Sequence, residues 1–273
     1  MKFTKTIKFG HPLVMGILNV TPNSFSDAGK YRDPEVAALH AEAMVNEGAD
    51  IIDVGGESTG PDSTNVSVDE EINRVIPVLA SLNKKKFSTS PIISVDTYKS
   101  KVARAALELG VGMINDVTAL RGDSMLASVV AEYDAYLVLM YSKDSTARTT
   151  RDPVQYDDVI KVILEFLEER IAVAVHAGVM REKIIIDPGM GAFISGDPKY
   201  SFEVLRRLAE LQKLNCPILV GASRKSFLPG TVKDRLIPTI IAHSIAIQNG
   251  ASIIRVHDVA DHVLANGLLE KLL

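Results

Sequence analysis

Short apolar runs recur along the chain at fairly even intervals, and each is followed by a segment with helical periodicity. The runs are rich in Ile, Val and Leu and lack polar alternation, which is typical of strands buried on both faces of a parallel sheet. Alternation of such strands with helices indicates the α/β class. The eight runs cover residues 13–20, 51–55, 91–96, 111–117, 135–141, 183–187, 217–222 and 252–256.

Eight helical segments fill the intervals, and several end at glycines, as helices commonly do. Eight strands and eight helices in 273 residues match a closed (β/α)8 TIM barrel. An open sheet of this size usually carries a glycine-rich dinucleotide fingerprint after its first strand, and none follows here. No linker or low-complexity tract divides residues 1–273, so we predict a single domain. The helices are expected over residues 34–47, 68–82, 99–109, 124–133, 157–177, 200–214, 232–249 and 259–272, with terminal glycines at 48, 110, 178 and 250.

Charge and cysteine content exclude several classes of function. The chain has 30 Lys+Arg against 34 Asp+Glu, a formal charge of −4, so nucleic acid and anionic membranes are not expected partners. Cys216 is the single cysteine, which excludes an intrachain disulfide and a Cys-rich metal site. No apolar stretch approaches the length of about 18 residues needed for a membrane span. We therefore expect a cytoplasmic protein that binds small molecules.

Polar residues end nearly every apolar run, and in a barrel of this type the active site lies at the C-terminal ends of the strands. A lone polar residue there is as often a helix cap as a functional group. Together, however, these residues separate into two chemistries. Carboxylates and an amide suit the donor and acceptor edge of a flat heterocycle, whereas cations suit phosphate. The first group consists of Asp96, Asn115 and Asp187, and the second of Lys225, Arg255 and His257.

Ordered motifs from residue 13 to residue 258 resemble the dihydropteroate synthases of the pterin-binding barrel family. The resemblance is specific, because the wider family, which includes corrinoid-linked methyltransferases, does not usually carry the SRKS and RVH sequences. The motifs are MGILNVTPNSFSD (15–27), GGEST (55–59), ISVDT (93–97), INDV (114–117), IDPG (186–189), ASRKSFL (222–228) and RVHD (255–258).

The resemblance implies an enzyme of folate biosynthesis. Such an enzyme condenses 7,8-dihydropterin-6-ylmethyl diphosphate with 4-aminobenzoate, gives 7,8-dihydropteroate and diphosphate, uses Mg2+, and forms a homodimer. The residue roles implied are catalysis by Asp96, Lys225 and Arg255, pterin binding by Asp96, Asn115, Asp187 and Lys225, diphosphate binding by Arg255 and His257, proximity of Thr59 and Ser223 to 4-aminobenzoate, and a contribution of Asn19 to the Mg2+ and diphosphate site.

Four positions depart from the family pattern. Asn23 stands where Asp is common, Gly60 where a loop arginine is common, and Tyr141 where a His follows the strand-five Met. Ala192 stands directly after Gly-x-Gly, where the family has Phe. We interpret these changes as clustering on the 4-aminobenzoate side and in the loops, with the pterin residues intact.

Two alternatives stay open at this point. In the first alternative to a synthase, the barrel holds a folate for another protein as a methyl-carrier partner. In the second, it retains pterin affinity without turnover. The sequences Ser223-Arg224-Lys225 and Arg255-Val256-His257 argue against a carrier, since a carrier needs no diphosphate site. Lys30 or Arg32 is an alternative source of the missing loop cation. The remaining histidines are assigned no role: His11, His40, His176, His243 and His262.

Overall fold

Parallel strands and α-helices alternate in a computed structural model that describes residues 2–21 and 33–272. Within these residues there are eight strands: β1 Leu13–Asn19, β2 Ile51–Gly55, β3 Ile92–Asp96, β4 Met113–Asp116, β5 Tyr136–Met140, β6 Ile184–Asp187, β7 Leu219–Val220 and β8 Ile253–Val256. The α-helices of the same residues are α1 Pro34–Asn46, α2 Val68–Lys84, α3 Ser100–Glu108, α4 Leu126–Tyr133, α5 Val159–His176, α6 Pro198–Arg207, α7 Leu236–Gln248 and α8 Val259–Leu269.

The strands form one sheet in the order β6-β5-β4-β3-β2-β1-β8-β7. Its two ends meet through a parallel bridge between Ile186 and Ile218, next to β7. The Ile186 N–H also donates to the Pro217 carbonyl at 2.9 Å. The sheet is thereby nearly closed on itself, and the predicted (β/α)8 barrel is confirmed.

The seventh strand is much shorter than the predicted 217–222, and two residues explain why. Pro217 has no N–H to give to a neighbouring strand. The Ala222 N–H donates at 3.0 Å to Nε2 of His243 on α7 instead of to the sheet. Regular strand pairing is therefore confined to Leu219–Val220.

Helices α6 and α7 also differ from the predicted bounds. Asp197 caps α6 by accepting from the Lys199 N–H, with Pro198 in the first turn, so the helix begins two residues earlier than predicted. The last part of the predicted helix, Leu208–Leu214, is a separate 3-10 helix that follows α6. Another 3-10 helix, Val232–Asp234, precedes α7. Pro238 lies in the first turn of α7, where the N–H that proline lacks needs no partner within the helix. The four predicted glycine ends are confirmed, with φ between 88° and 106°.

Apolar side chains fill the N-terminal half of the barrel interior. Met15, Met113 and Ile253 lie there in one buried cluster, against which Phe3 and Phe9 of the N-terminal segment pack. A larger apolar layer separates the strands from the helices. The polar strand ends are therefore left at the opposite, C-terminal end. In the described part of the chain, no helix is long and apolar enough to cross a membrane.

Candidate active site

Register pairing brings three predicted site residues and Gly55, from four adjacent strands, to one level. Asn19 pairs with Gly55, Gly55 with Asp96, and Asp96 with Asn115. Since neighbouring strands lie about 4.8 Å apart, these residues form an arc around the barrel end. We name Asp96, Asn115 and Asp187 the carboxylate half of the site, and Ser223, Lys225, Arg255 and His257 the anion half.

Below this arc lies Asp53, a buried carboxylate with no solvent exposure. It accepts hydrogen bonds from Ser94 Oγ at 2.6 Å, Asn115 Nδ2 at 3.0 Å and Arg255 Nε at 2.7 Å. Asp53 therefore holds the Asn115 amide in one orientation. It was not among the predicted site residues, although a carboxylate inside the apolar run Ile-Ile-Asp-Val is a signal that could have identified it.

Arg255 connects Asp53 to the carboxylate half. Its second contact, from Nη2 to Asp96 Oδ2, is 3.0 Å long. Burial raises the pKa of Asp96 to about 7, since Asp53 adds to this effect and Arg255 only partly opposes it. Burial alone would lower the pKa of Arg255, but Asp53 and Asp96 outweigh it and hold that pKa above its ordinary value. Arg255 thus neutralises two carboxylates at the barrel end.

Asp187 and Lys225 are the next pair along the rim. Asp187 accepts the Gly189 N–H at 2.7 Å, and Lys225 Nζ donates to the Met190 carbonyl at 3.2 Å. Burial raises the pKa of Asp187 to about 6, although Lys225 and the Gly189 N–H oppose it. Burial also lowers the pKa of Lys225 to about 8, against the attraction of Asp187. The Lys225 ammonium lies 5.0 Å from the centre of the Phe193 ring, within range of a cation–π contact.

Ser223 and His257 are in direct contact, although the resemblance assigned them to different ligands. Ser223 Oγ lies 2.9 Å from His257 Nδ1 and accepts the His257 backbone N–H at 3.2 Å. The Ser223 hydroxyl can donate to Nδ1 or accept a proton from it, according to the tautomer of the ring. In the tautomer in which the hydroxyl donates, Nε2 carries the ring proton and the imidazole presents a hydrogen-bond donor, as an anion requires.

Thr59 begins a loop that is held by the segment after β5. Its carbonyl accepts the Thr149 N–H at 3.3 Å. Gly60, the position of the missing arginine, accepts from the Ser63 hydroxyl at 2.6 Å. A Cβ atom at Gly60 would meet nothing nearer than Ser58 Oγ at 3.9 Å, so larger residues fit there.

Two arginines from the segment after β5 border this same loop. Arg148 donates to the Thr64 carbonyl at 2.9 Å and forms an ion pair with Glu57. Arg151 Nη2 lies 3.0 Å from Asp62 Oδ2. Cations therefore stand beside the loop even though Gly60 provides none.

The position of Tyr141 differs from the interpretation that the changes from the family pattern lie on the 4-aminobenzoate side and in the loops. Its ring is buried between the barrel and α5, edge-on to Phe166 at 5.2 Å, and its hydroxyl lies 3.1 Å from that of Tyr156. Placing Tyr141 on the 4-aminobenzoate side is therefore wrong, because a side chain that follows the lumen-facing Met140 points outward. The positions Asn23, Lys30 and Arg32 lie outside the described residues.

Asn19 is the predicted Mg2+ ligand, and its surroundings fit such a role. A Cβ atom on Gly55 would lie 3.3 Å from Asn19 Oδ1, so the glycine leaves room beside this oxygen. Among the described residues, no group of three or more His, Cys, Asp or Glu is arranged to hold a metal. One amide oxygen at the rim is compatible with Mg2+, which often takes few protein ligands and completes its shell with phosphates and water.

Comparison with known proteins gives consistent matches over most of the chain. Residues 15–257 match the family described as "Pterin binding enzyme". The type-3 dihydropteroate synthase of Escherichia coli is 43% identical over 251 residues, covering 90% of this chain and 94% of that protein. A probable bifunctional folylpolyglutamate synthase/dihydropteroate synthase of Haloferax volcanii is 44% identical over 92% of this chain, which spans 30% of that longer protein.

Solved structures agree. The Yersinia pestis dihydropteroate synthase in a sulfonamide drug complex superposes with a TM-score of 0.91 at 35% identity, covering 100% of this chain and 98% of the other. The Xanthomonas albilineans enzyme with 4-aminobenzoic acid gives 0.87 at 40% identity, covering 97% and 94%. The fold, the site and these matches show that the chain belongs to the pterin binding enzyme family. Within that family it belongs to the dihydropteroate synthases.

Proposed function

We propose that this chain condenses 7,8-dihydropterin-6-ylmethyl diphosphate with 4-aminobenzoate to give 7,8-dihydropteroate and diphosphate. The observation that carries this proposal is the division of one barrel rim into two halves of opposite chemistry. Asp96, Asn115 and Asp187 offer acceptors and an amide on one side, and Lys225, Arg255 and His257 offer donors on the other. A substrate with a flat heterocycle and a diphosphate group matches both halves.

The carboxylate half suits the pterin ring. Ring N–H and amino groups donate, and the buried Asp187 and Asp96 accept when ionised. Asp53 orients the Asn115 amide by accepting from its Nδ2, so that the amide oxygen can accept from the ligand. Hydrogen bonds of this charge-assisted kind are worth about 1.5–3 kcal/mol each.

The anion half suits the leaving group. In the proposed reaction the bond between the pterin methylene carbon and the diphosphate oxygen breaks, and its electron pair leaves with diphosphate. The arylamine nitrogen then bonds to that carbon and releases a proton. Arg255 and His257 stabilise the charge gained by diphosphate, and Asp96 and Asp187 stabilise the positive charge on the pterin. No protein nucleophile takes part.

We also propose that Mg2+ assists, with Asn19 as a protein ligand. When bound, the ion supplies charge neutralisation for the diphosphate group. The room that Gly55 leaves beside Asn19 Oδ1 supports this assignment. Activity is expected to collapse in excess chelator and to return when Mg2+ is restored, and undiminished activity in chelator would contradict the proposal.

One assay separates the synthase from its alternatives. Purified protein is given the pterin diphosphate and Mg2+, and released diphosphate is measured with and without 4-aminobenzoate. A synthase releases diphosphate in proportion to 7,8-dihydropteroate formed. A carrier or an inactive pterin-binding barrel binds the pterin but forms no 7,8-dihydropteroate, and this result would refute the proposed reaction.

We propose further that two copies associate through α7 and α8, which pack against each other. Ile237, Ile241 and Ile245 recur at every fourth position of α7 and are 68%, 55% and 38% exposed. Leu264 and Leu268 of α8 are 78% and 60% exposed. A contiguous apolar face of this kind marks an interaction surface, and a second copy is the partner that the family resemblance implies. The cytoplasmic location stays a prediction.

A further inference from the structure

A chain of hydrogen bonds through two buried histidines joins the segments that follow β7 and β8. The Ala222 N–H donates to His243 Nε2 at 3.0 Å, and His243 Nδ1 lies 3.0 Å from His262 Nε2. His262 Nδ1 lies 2.6 Å from the Asp258 carbonyl oxygen. His243 belongs to α7 and His262 to α8, and each is 1% exposed. The chain therefore runs through the buried layer outside the barrel, behind the site.

Donor and acceptor chemistry at the two ends fixes every proton on this chain. The Ala222 N–H can only donate, so Nε2 of His243 carries no proton. The Asp258 carbonyl can only accept, so Nδ1 of His262 carries one. The proton of His243 then sits on Nδ1 and is donated to Nε2 of His262. Both rings are neutral, and both are in the Nδ1–H tautomer.

The surrounding groups keep the pair neutral. Burial lowers the pKa of His243 well below its ordinary value, and His262 and the Lys225 ammonium after β7 add to this effect. Burial also lowers the pKa of His262, although Asp258 and Asp261 at the start of α8 oppose it. An additional proton on either ring would leave two donors facing each other along the chain. The linkage is therefore fixed in one protonation state.

The two ends of the chain hold residues of the anion half. Ala222 immediately precedes Ser223, and Asp258 immediately follows His257. A second link runs beside the histidines, because the Arg224 guanidinium pairs with the Asp258 carboxylate, with Nε 3.0 Å from Oδ2. Any change in the separation of Ala222 and Asp258 would change the contact between Ser223 and His257.

We propose that His243 and His262 form a positioning pair that sets the separation of Ser223 and His257 through the backbone of Ala222 and Asp258. Neither imidazole reaches the barrel end, so the pair acts through residues that do. The identity of the bound anion as diphosphate rests on the proposed function. The geometry of the pair does not depend on turnover.

Calorimetry on the full chain with Mg2+ present tests this, using inorganic diphosphate and a pterin analogue that lacks phosphate. His243→Leu leaves the Ala222 N–H without an acceptor, so we expect the Kd for diphosphate to rise about tenfold. The Kd for the pterin analogue is expected to stay within about twofold. His243→Gln can accept and donate along the same path and is expected to retain diphosphate affinity. Ile247→Ala, buried on the same helix, is the control that lowers the Tm without weakening diphosphate binding.

Unchanged diphosphate affinity in His243→Leu, or equal losses for both probes, would overturn the proposal. If that variant does not fold, nitrogen-15 NMR of the histidine rings in the unaltered chain decides. We expect Nδ1–H tautomers at His243 and His262, and a shift of the His243 signals with diphosphate but not with the pterin analogue. Nε2–H tautomers, or no response to diphosphate, would overturn it. None of these measurements uses turnover, so a missing synthase activity would refute the proposed function separately.

Discussion

Asp187 combines two opposing demands in one side chain. Its carboxylate must be ionised to accept from a pterin, yet burial raises its pKa from an ordinary 3.8 to about 6. Lys225 and the Gly189 N–H offset only part of that penalty. A residue with this balance is expected to cost stability while it supports binding, which is common where function requires a strained or charged interior.

Replacing Asp187 with Asn is expected to separate these two effects. Asp187→Asn presents an amide donor to the donors of the pterin, so binding of a pterin analogue falls by at least about tenfold. The variant is expected to gain about 1–3 kcal/mol in free energy of unfolding at pH 7, because the cost of burying an ionised carboxylate at this position exceeds the attraction that Lys225 loses. Calorimetry measures the affinity for the pterin analogue, and urea unfolding measures the free energy of unfolding. Asp197→Asn, which keeps a helix cap, is the control for the substitution itself. Pterin affinity within about threefold of the wild type would contradict the role of Asp187.

The raised pKa values of Asp96 and Asp187 predict how binding and stability depend on pH. Below about pH 6–7 the two carboxylates take up protons, so pterin affinity is expected to fall as the solution is acidified. The contribution of these carboxylates to the free energy of unfolding changes in the opposite direction and increases as the solution is acidified. The folded chain binds more protons than the unfolded chain between about pH 4 and pH 7, so this contribution to the free energy of unfolding decreases as pH rises through that window. Asp187→Asn should flatten the stability profile, and a profile identical to the wild type would contradict the assignment.

At the scale of the element, the segment after β2 is fixed by a buried cluster of charges. Lys99, at the start of α3, lies 2.5 Å from Glu57 Oε2 and 2.5 Å from Glu71 Oε2, and it also donates to the Val66 carbonyl at 2.7 Å. The two glutamate side chains are 3% and 1% exposed. One lysine thus ties the end of β2, the start of α2 and the start of α3 together.

Removing that lysine is expected to be costly. Lys99→Met leaves the buried Glu71 carboxylate without its ion-pair partner and leaves Glu57 with Arg148 alone, and we expect a loss of about 3–5 kcal/mol in the free energy of unfolding. The matched control is Lys85→Met, whose partner Glu42 lies at 3.1 Å on the surface and whose loss should cost no more than about 1 kcal/mol. Urea unfolding compares the two, and equal losses would contradict the buried cluster as a stabilising element.

The loop at Gly60 offers a gain-of-function test on the second substrate. Gly60→Arg adds a cation where a Cβ atom is sterically free, and we expect the KM for 4-aminobenzoate to fall about threefold, with stronger inhibition by sulfonamides that mimic it. Gly60→Gln controls for side-chain length without charge. Arg151→Ala tests whether the neighbouring arginine already supplies the cation, and an unchanged KM in Gly60→Arg together with a large rise in Arg151→Ala would favour that explanation.

Local sequence patterns predicted the eight strands, the eight helices and their glycine ends, because periodicity and capping are short-range properties. The polar strand ends were also predictable, since parallel strands place their C-termini at one end of a barrel. The Asp53–Arg255 contact joins residues 202 positions apart, and no local pattern encodes it. The His243–His262 pair was assigned no role for the same reason: each ring has a partner only after α7 packs on α8.

At the scale of the whole molecule, the exposed apolar face of α7 and α8 predicts a dimer. Ile241→Asp places a charge in the centre of that face, so we expect the chain to sediment as a monomer at micromolar concentration. Leu39→Asp, on α1, is the control, because Leu39 is 56% exposed and Ile241 is 55% exposed. A wild-type chain that sediments as a monomer, or a variant that still dimerises, would contradict the proposed association surface.

The barrel closes between β6 and β7 through a single bridge, from Ile186 to Ile218, so this junction is weaker than the regular strand pairings. Asp187 ends β6 and Lys225 follows β7, so the distance between these strands also determines the width of the ligand site between the two residues. A substrate bound by both residues would therefore limit how far β6 and β7 can separate. Amide protons at Ile186 and Leu219 would then exchange with solvent more slowly when the pocket is filled. Ligand binding and local opening of the barrel between β6 and β7 are therefore coupled.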